Sequence, residues 1–237
     1  MQDFYYLNQM KLLAILSFLL LPFMMKGQSD LYYRIKVDFT VKEKTNDGKS
    51  GLTMGQIYFD KNKKNIVYNV KFPEKVMWVY NDTVMHVVKG NITEKKSIIP
   101  GFVDYSVFNL SLNNSLKDYG LKKSYIFEQK EIVKDQDMVI SVWKPRKEFA
   151  KVLGNVKVSV KNNRLYGVII YNPAGQMIGK QIFTEYMKAG GIEFPAEIIS
   201  YTYNNNIELS KQLITYKNIK VNQRDEDYFY NYTVTSH

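Results

Sequence analysis

The chain has 237 residues, no cysteine and only two histidines, His86 and the terminal His237. Without cysteine there is no disulfide, no thiolate nucleophile and no thiol to carry a lipid after a leader segment. A serine triad would have to draw its base from His86, and no Gly-x-Ser-x-Gly elbow is there to present a nucleophile. His86 lies in the run Thr83 to Val88, where alternation places it on one face of a strand as an ordinary strand histidine. No recognisable spacing supplies the three or four ligands of a zinc site, and no glycine-rich phosphate loop occurs. The consecutive Asp225, Glu226 and Asp227 read as a solvated chain end rather than a calcium loop or an acid/base pair. These gaps argue against an enzyme, and neither a cofactor nor a metal is expected.

Long apolar runs are also missing, with one exception. Residues 12–25 (LLAILSFLLLPFMM) are apolar except for Ser17 and Pro22, follow Lys11, and give way to Lys26-Gly27-Gln28-Ser29-Asp30. That order of basic, apolar and small-polar regions is a secretory signal peptide, assigned to residues 1–27 with Met10 as the initiator. An uncleaved anchor is the alternative, but the run is short against the about 20 residues that cross a bilayer. The expectation is export, with a periplasmic location in a Gram-negative bacterium. Residues 28–222 read as a single domain and 223–237 as a C-terminal tail. No linker, repeat or composition shift divides that domain, which is long enough to bury a core without disulfides.

Acidic residues are in deficit. The net charge is +10, and removing Lys11, Lys26 and Asp3 with the leader leaves 31 basic and 22 acidic residues, or +9. The lysines alternate with apolar residues, as in Lys157-Val158-Ser159-Val160-Lys161, which describes the wet face of a strand and not a nucleic-acid patch. A weak peripheral attraction to anionic lipid headgroups stays open.

What is abundant is strand pattern. Tyr33, Ile35, Val37, Phe39 and Val41 alternate with Arg34, Lys36, Asp38, Thr40 and Lys42, a period of two that marks a half-buried strand. Asp47-Gly48 then supplies a turn. Further strands are expected at 54–60, 65–72, 76–80, 83–88, 122–131, 137–143, 155–161, 164–171, 176–187, 196–204 and 207–221. Tight turns such as Asn162-Asn163 separate them, and no strand-helix-strand crossover is visible, so the sheet should be antiparallel. Two segments carry helical spacing. Asp104 to Tyr119 places Phe108, Leu112 and Leu116 on one stripe before Gly120, and Arg146 to Leu153 follows Pro145 with Phe149, Val152 and Leu153 on one side. The fold class is therefore all-β with two short helices: a strongly curved antiparallel sheet, an incomplete barrel, with a helical lid.

Nineteen Tyr, thirteen Phe, two Trp and ten Met give the chain much aromatic and flexible apolar surface. Singly these are strand formers and core. Together they suit a cavity, because the concave face of a wide curved sheet exceeds what its own side chains fill. Alternation assigns Ile35, Val37, Phe39, Ile57, Phe59, Tyr68, Val70 and Trp78 to the wall, with Phe108, Leu112 and Leu116 on the lid.

Several segments occur in a familiar order. Val37-Asp38-Phe39-Thr40, Gly55-Gln56-Ile57-Tyr58-Phe59, Tyr68, Phe72-Pro73 and Trp78 to Thr83 are followed by Trp143-Lys144-Pro145-Arg146, Asn172-Pro173-Ala174-Gly175-Gln176 and Glu193-Phe194-Pro195. Over about residues 35–200 this resembles the outer-membrane lipoprotein carrier family, the LolA-like proteins. The resemblance implies a half-barrel whose concave side is covered by helices. It also implies a soluble periplasmic carrier of lipid or of lipoprotein acyl chains, exchanging cargo with an inner-membrane transporter and an outer-membrane acceptor. The alternative is a non-catalytic envelope module that uses the same half-barrel as a docking surface. Two departures stand out. Asp30-Leu31-Tyr32 runs straight into the first strand where the family opens with a helix. The family's arginine in the second-strand region falls near Lys61, and lysine cannot reproduce a planar multi-donor contact.

Overall fold

A computed structural model describes residues 32–90 and 92–234; the leader segment and residues 28–31 lie outside them. From Arg34 onward the chain forms one compact unit built on a single 13-stranded sheet. The strands are β1 (Arg34–Thr45), β2 (Ser50–Asp60), β3 (Asn65–Phe72), β4 (Val76–Asn81), β5 (Val84–Lys89), β6 (Ile92–Ile98), β7 (Phe127–Asp135), β8 (Met138–Pro145), β9 (Val156–Lys161), β10 (Arg164–Tyr171), β11 (Met177–Ala189), β12 (Ile192–Asn204) and β13 (Ile207–Val221). Every neighbouring pair is antiparallel, and the spatial order is β6-β5-β4-β3-β2-β1-β13-β12-β11-β10-β9-β8-β7. Two meanders thus meet at the centre, where β1 pairs with both β2 and β13. The sheet curves but does not close, leaving β6 and β7 as edges.

Local chemistry explains the meanders. Gly48 turns with φ +86°, and Asn162-Asn163 and Asn205-Asn206 each place two residues at positive φ, the geometry that matches hairpin twist. Gly55 has no alternative: a Cβ there would lie 2.2 Å from the Asn69 carbonyl oxygen. Both edge strands carry charge, ITEKKSI in β6 and FEQKEIVKD in β7, which discourages pairing with another chain. The same charge hides β6 from sequence reading, because an edge strand wet on both faces shows no alternation.

Because the order of strands ends at β6 and resumes at β7, the chain must travel from one edge of the sheet to the other. The connection, residues 99–126, crosses the inner face and forms the lid. Only Val107–Leu112 of it is helical (α1), shorter than the expected 104–119. Ser106, not Asp104, is the N-cap, its hydroxyl accepting from the Asn109 amide. Asn114 and Tyr119 sit at positive φ, which breaks the helix before Leu116. A 3-10 turn follows at Leu121–Lys123, so β7 starts later than expected. The helix expected at 146–153 is absent. That segment consists of turns closed by Phe149 N–H to Arg146 C=O and Val152 N–H to Phe149 C=O, and Val152 is 70% exposed. Phe149 packs on the Tyr125 ring at 5.7 Å and Leu153 is half-buried, but with Val152 in solvent the stripe has no continuous surface to stabilise so short a helix.

The second short helix is instead α2 (Asp227–Tyr230) in the C-terminal tail. The tail lies on the outer face of β1–β5. Tyr230 is buried with Tyr58, Val67, Val79 and Val88, and Phe229, Tyr232 and Val234 pack around them. The Arg34 guanidinium anchors it, 2.8 Å from Asp60 and 2.5 Å from Asp227, with the Tyr230 ring 4.5 Å away. Glu226 pairs with Lys36. Glu226 and Asp227 stay exposed but act as clamps, where their clustering suggested only a solvated chain end.

Candidate functional site

Register assigns each inward residue. Ile35 pairs with Phe59, Val37 with Ile57 and Phe39 with Gly55; Ile57 pairs in turn with Tyr68, and Tyr68 with Trp78. All of these share the inner face, opposite Tyr58 and the tail. Ile35, Val37, Ile57 and Phe59 are fully buried, and Phe39 and Val70 nearly so. Phe108 of α1 drops onto them, 6.1 Å from the Phe59 ring, and reaches across to Phe194 and Tyr216 at 5.7 Å each. One side chain thus touches β2, β12 and β13, tying the connection to the centre of the curve.

Beside Phe108 a cavity of about 470 Å³ opens between the connection and the inner face. Of the expected wall and lid, Tyr68 and Phe108 line it directly. Ile35, Val37, Phe39, Ile57, Phe59 and Val70 form the packed layer on the same face. Trp78 is half-buried with its ring 5.9 Å from Tyr68. Leu112 is buried at the end of α1, and Leu116 is half-buried in the turn beyond it. The opposite wall comes from the second meander, with Ile198, Ile214 and Tyr216, and the roof from Phe102, Tyr105 and Tyr119. Sequence reasoning did not single these out. The sequence predicts strands at 196–204 and 207–221, but no local period tells which part of the curve they face.

No charged side chain lines this cavity. Its polar groups are tyrosine hydroxyls, Ser106 and Gln181, and Gln181 accepts a 3.3 Å hydrogen bond from Tyr119. Burial pushes the Tyr119 hydroxyl up to about 12 and that of nearby Tyr80 to about 12. Burial also raises Tyr68 and Tyr216 well above the ordinary phenol value. The lining is therefore neutral throughout the physiological range. His86 is remote from it, on the outer face of β5 opposite Val79 and Lys96, and burial followed by the charge of Lys96 lowers its pKa. Among the described residues no cluster of three or more His, Cys, Asp or Glu is placed to hold a metal ion. Lys61 sits in the turn between β2 and β3. The chain's buried guanidinium belongs to Arg34, which holds the tail on the outer face.

No protein-family model matches the sequence, and no curated protein matches it. Solved structures do match in shape. A LolA superfamily protein from Nitrosomonas europaea superposes with a TM-score of 0.56 at 12% identity, covering 85% of this chain and 93% of that one. A DUF1329 family protein from Desulfovibrio piger gives 0.57 at 14% identity, over 86% and 92%. A domain described as an outer membrane lipoprotein-sorting protein, from Vibrio parahaemolyticus, gives 0.55 at 9% identity, over 83% and 89%. The fold is LolA-like. Among the described residues no helix is long and apolar enough to cross a membrane.

Proposed function

We propose that the protein is a soluble periplasmic carrier that holds lipid, or the acyl chain of a lipoprotein, in the cavity under its edge-to-edge connection. The observation that carries this reading is the lining: aliphatic and aromatic, free of charge, with neutral tyrosine hydroxyls buried among the apolar groups. Such a surface gains from taking apolar area out of water, about 25 cal/mol per Å², and offers neutral hydrogen-bond partners to an ester or amide. About 470 Å³ lies within the roughly 300–1,000 Å³ of small-molecule sites. That suits one acyl chain better than several. The same surface offers no base beside its one serine, which is engaged as the α1 N-cap, no acid/base pair and no metal ligand set, which supports binding over catalysis. Handing cargo between an inner-membrane donor and an outer-membrane acceptor belongs to this proposal, as does the role of Ile35, Val37, Phe39, Ile57, Phe59, Val70, Trp78, Leu112 and Leu116 as the layer that shapes the cavity.

The test is mass spectrometry of an organic extract of the purified protein, followed by titration with a solvatochromic fatty acid. A carrier yields a co-purified acyl lipid and saturable probe binding that quenches tryptophan, with Trp78→Phe reducing the quenching. A lipid-free extract, with probe binding no stronger than to an unrelated β protein of equal charge, would favour a docking module instead.

A further inference from the structure

The outer face of the sheet is divided. Its first half, over β2–β5 and the start of β1, is covered by the C-terminal tail. The second half carries two parallel rows of side chains with no covering segment among the described residues. Following the register outward from β9, the first row reads Lys157, Ile169, Lys180, Tyr201, Lys211 and Lys44. Two residues along each strand, the second reads Ser159, Gly167, Ile182, Ile199, Leu213 and Lys42. The six strands span about 24 Å at their usual spacing, and the rows lie about 7 Å apart.

The rows differ in chemistry. Four of the six positions in the first are lysines, none of them in an ion pair among the described residues. Lys157 lies over the Tyr171 ring, and Lys180 and Lys211 both lie over the Tyr201 ring. Lys211 and Lys44 stand directly opposite each other, a like-charge pair that costs stability unless an anion relieves it. The second row is a half-exposed aliphatic stripe through Ile182, Ile199 and Leu213. Where Gly167 and Ser159 leave the stripe without bulk, a hollow of about 380 Å³ opens, rimmed by Lys157, Lys180, Tyr166 and Tyr171. A Cβ at Gly167 would lie 2.9 Å from the Ser159 hydroxyl.

We propose that this half of the outer face docks on an anionic lipid bilayer, the lysine row against lipid phosphates and the aliphatic stripe against the headgroup–acyl boundary. Charge selects the occupant. A second copy of the chain would stack lysine on lysine. A nucleic acid or a purely acidic peptide would answer the first row and leave the second unused. A surface of anionic lipid offers both negative charge and apolar depth, and tyrosine with its polar tip suits that boundary. The site lies on the face opposite the cavity, so the carrier can rest on a membrane with its cargo side turned away.

Flotation of the mature chain with phosphatidylcholine vesicles, with and without phosphatidylglycerol, tests this. Binding should need phosphatidylglycerol and weaken with salt. Lys157→Gln with Lys180→Gln should lower the affinity about 25-fold, from about fivefold per lysine at the membrane surface. Lys117→Gln with Lys122→Gln, both exposed on the connection, should leave it unchanged, as should Phe108→Ala in the cavity. Equal loss in both lysine pairs would show attraction by net charge alone and overturn the site. So would binding to heparin or polyglutamate without binding to the vesicles, or no preference for phosphatidylglycerol. A failed cavity with intact vesicle binding would refute the carrier reading and leave this one standing.

Discussion

Phe108→Ala probes the lid and the cavity at once. Phe108 is 1% exposed and its ring meets Phe59, Phe194 and Tyr216 within about 6 Å. Truncating a packed phenylalanine costs about 3–5 kcal/mol, the transfer of the ring plus the void it leaves. One side of this ring already borders a cavity, so fewer protein contacts are lost and the low end, about 3 kcal/mol, is expected. In urea the midpoint should fall with an unchanged slope, and Tm should drop by roughly 6–12 °C for a domain of this size. A ligand in the enlarged cavity should return much of the loss: fatty acid at about 100 times its Kd adds about 2.7 kcal/mol by mass action. A cost below about 1 kcal/mol would mean that α1 does not pack on the sheet. A full cost with no recovery on adding fatty acid would leave the lid as core and remove the carrier reading.

Arg34→Ala should cost about 3–5 kcal/mol by equilibrium denaturation, because Asp60, 2% exposed, is left buried without its partner. Arg34→Lys should recover only part of this, since an ammonium cannot meet two carboxylates and stack on a ring together; full recovery would refute the clamp. Gly55→Ala should lose about 1–3 kcal/mol through overpacking against Asn69, and a neutral effect on the melting temperature would contradict the close strand approach. In alkali, Tyr80 and Tyr119 ionise near pH 12 when folded and near 10.0 when unfolded. Their contribution is therefore complete below pH 10 and lost as pH climbs from 10 to 12. Circular dichroism and phenolate absorbance should change together in that window, and ionisation near pH 10 with the fold intact would refute the burial.

Much of this architecture was legible in the chain. The alternation of β1 determined which of its residues face inward, since side chains in a strand point to opposite faces by geometry alone. Asp47-Gly48 and Asn162-Asn163 determined hairpins, because few other residues tolerate paired positive φ. The resulting succession of antiparallel strands and the shared inner face of the residues from Ile35 to Trp78 follow from local rules, whereas the helix carrying Phe108 stops before Leu116. Tertiary structure decided the rest. That β1 lies between β2 and β13, with paired residues 165 or more apart in sequence, from Thr45↔Ser210 upward, is a long-range pairing that no local period encodes. From it follow the edge-to-edge path of residues 99–126, the approach of Ile198, Ile214 and Tyr216 to Tyr68, and the alignment of lysines from four strands in one row. The C-terminal tail shows the same limit. Glu226 and Asp227 read as mere solvated charges until the fold brings Lys36 and Arg34 beside them. Whether a charge is a surface group or a clamp depends on what lies opposite it, and only the assembled sheet supplies that opposite side.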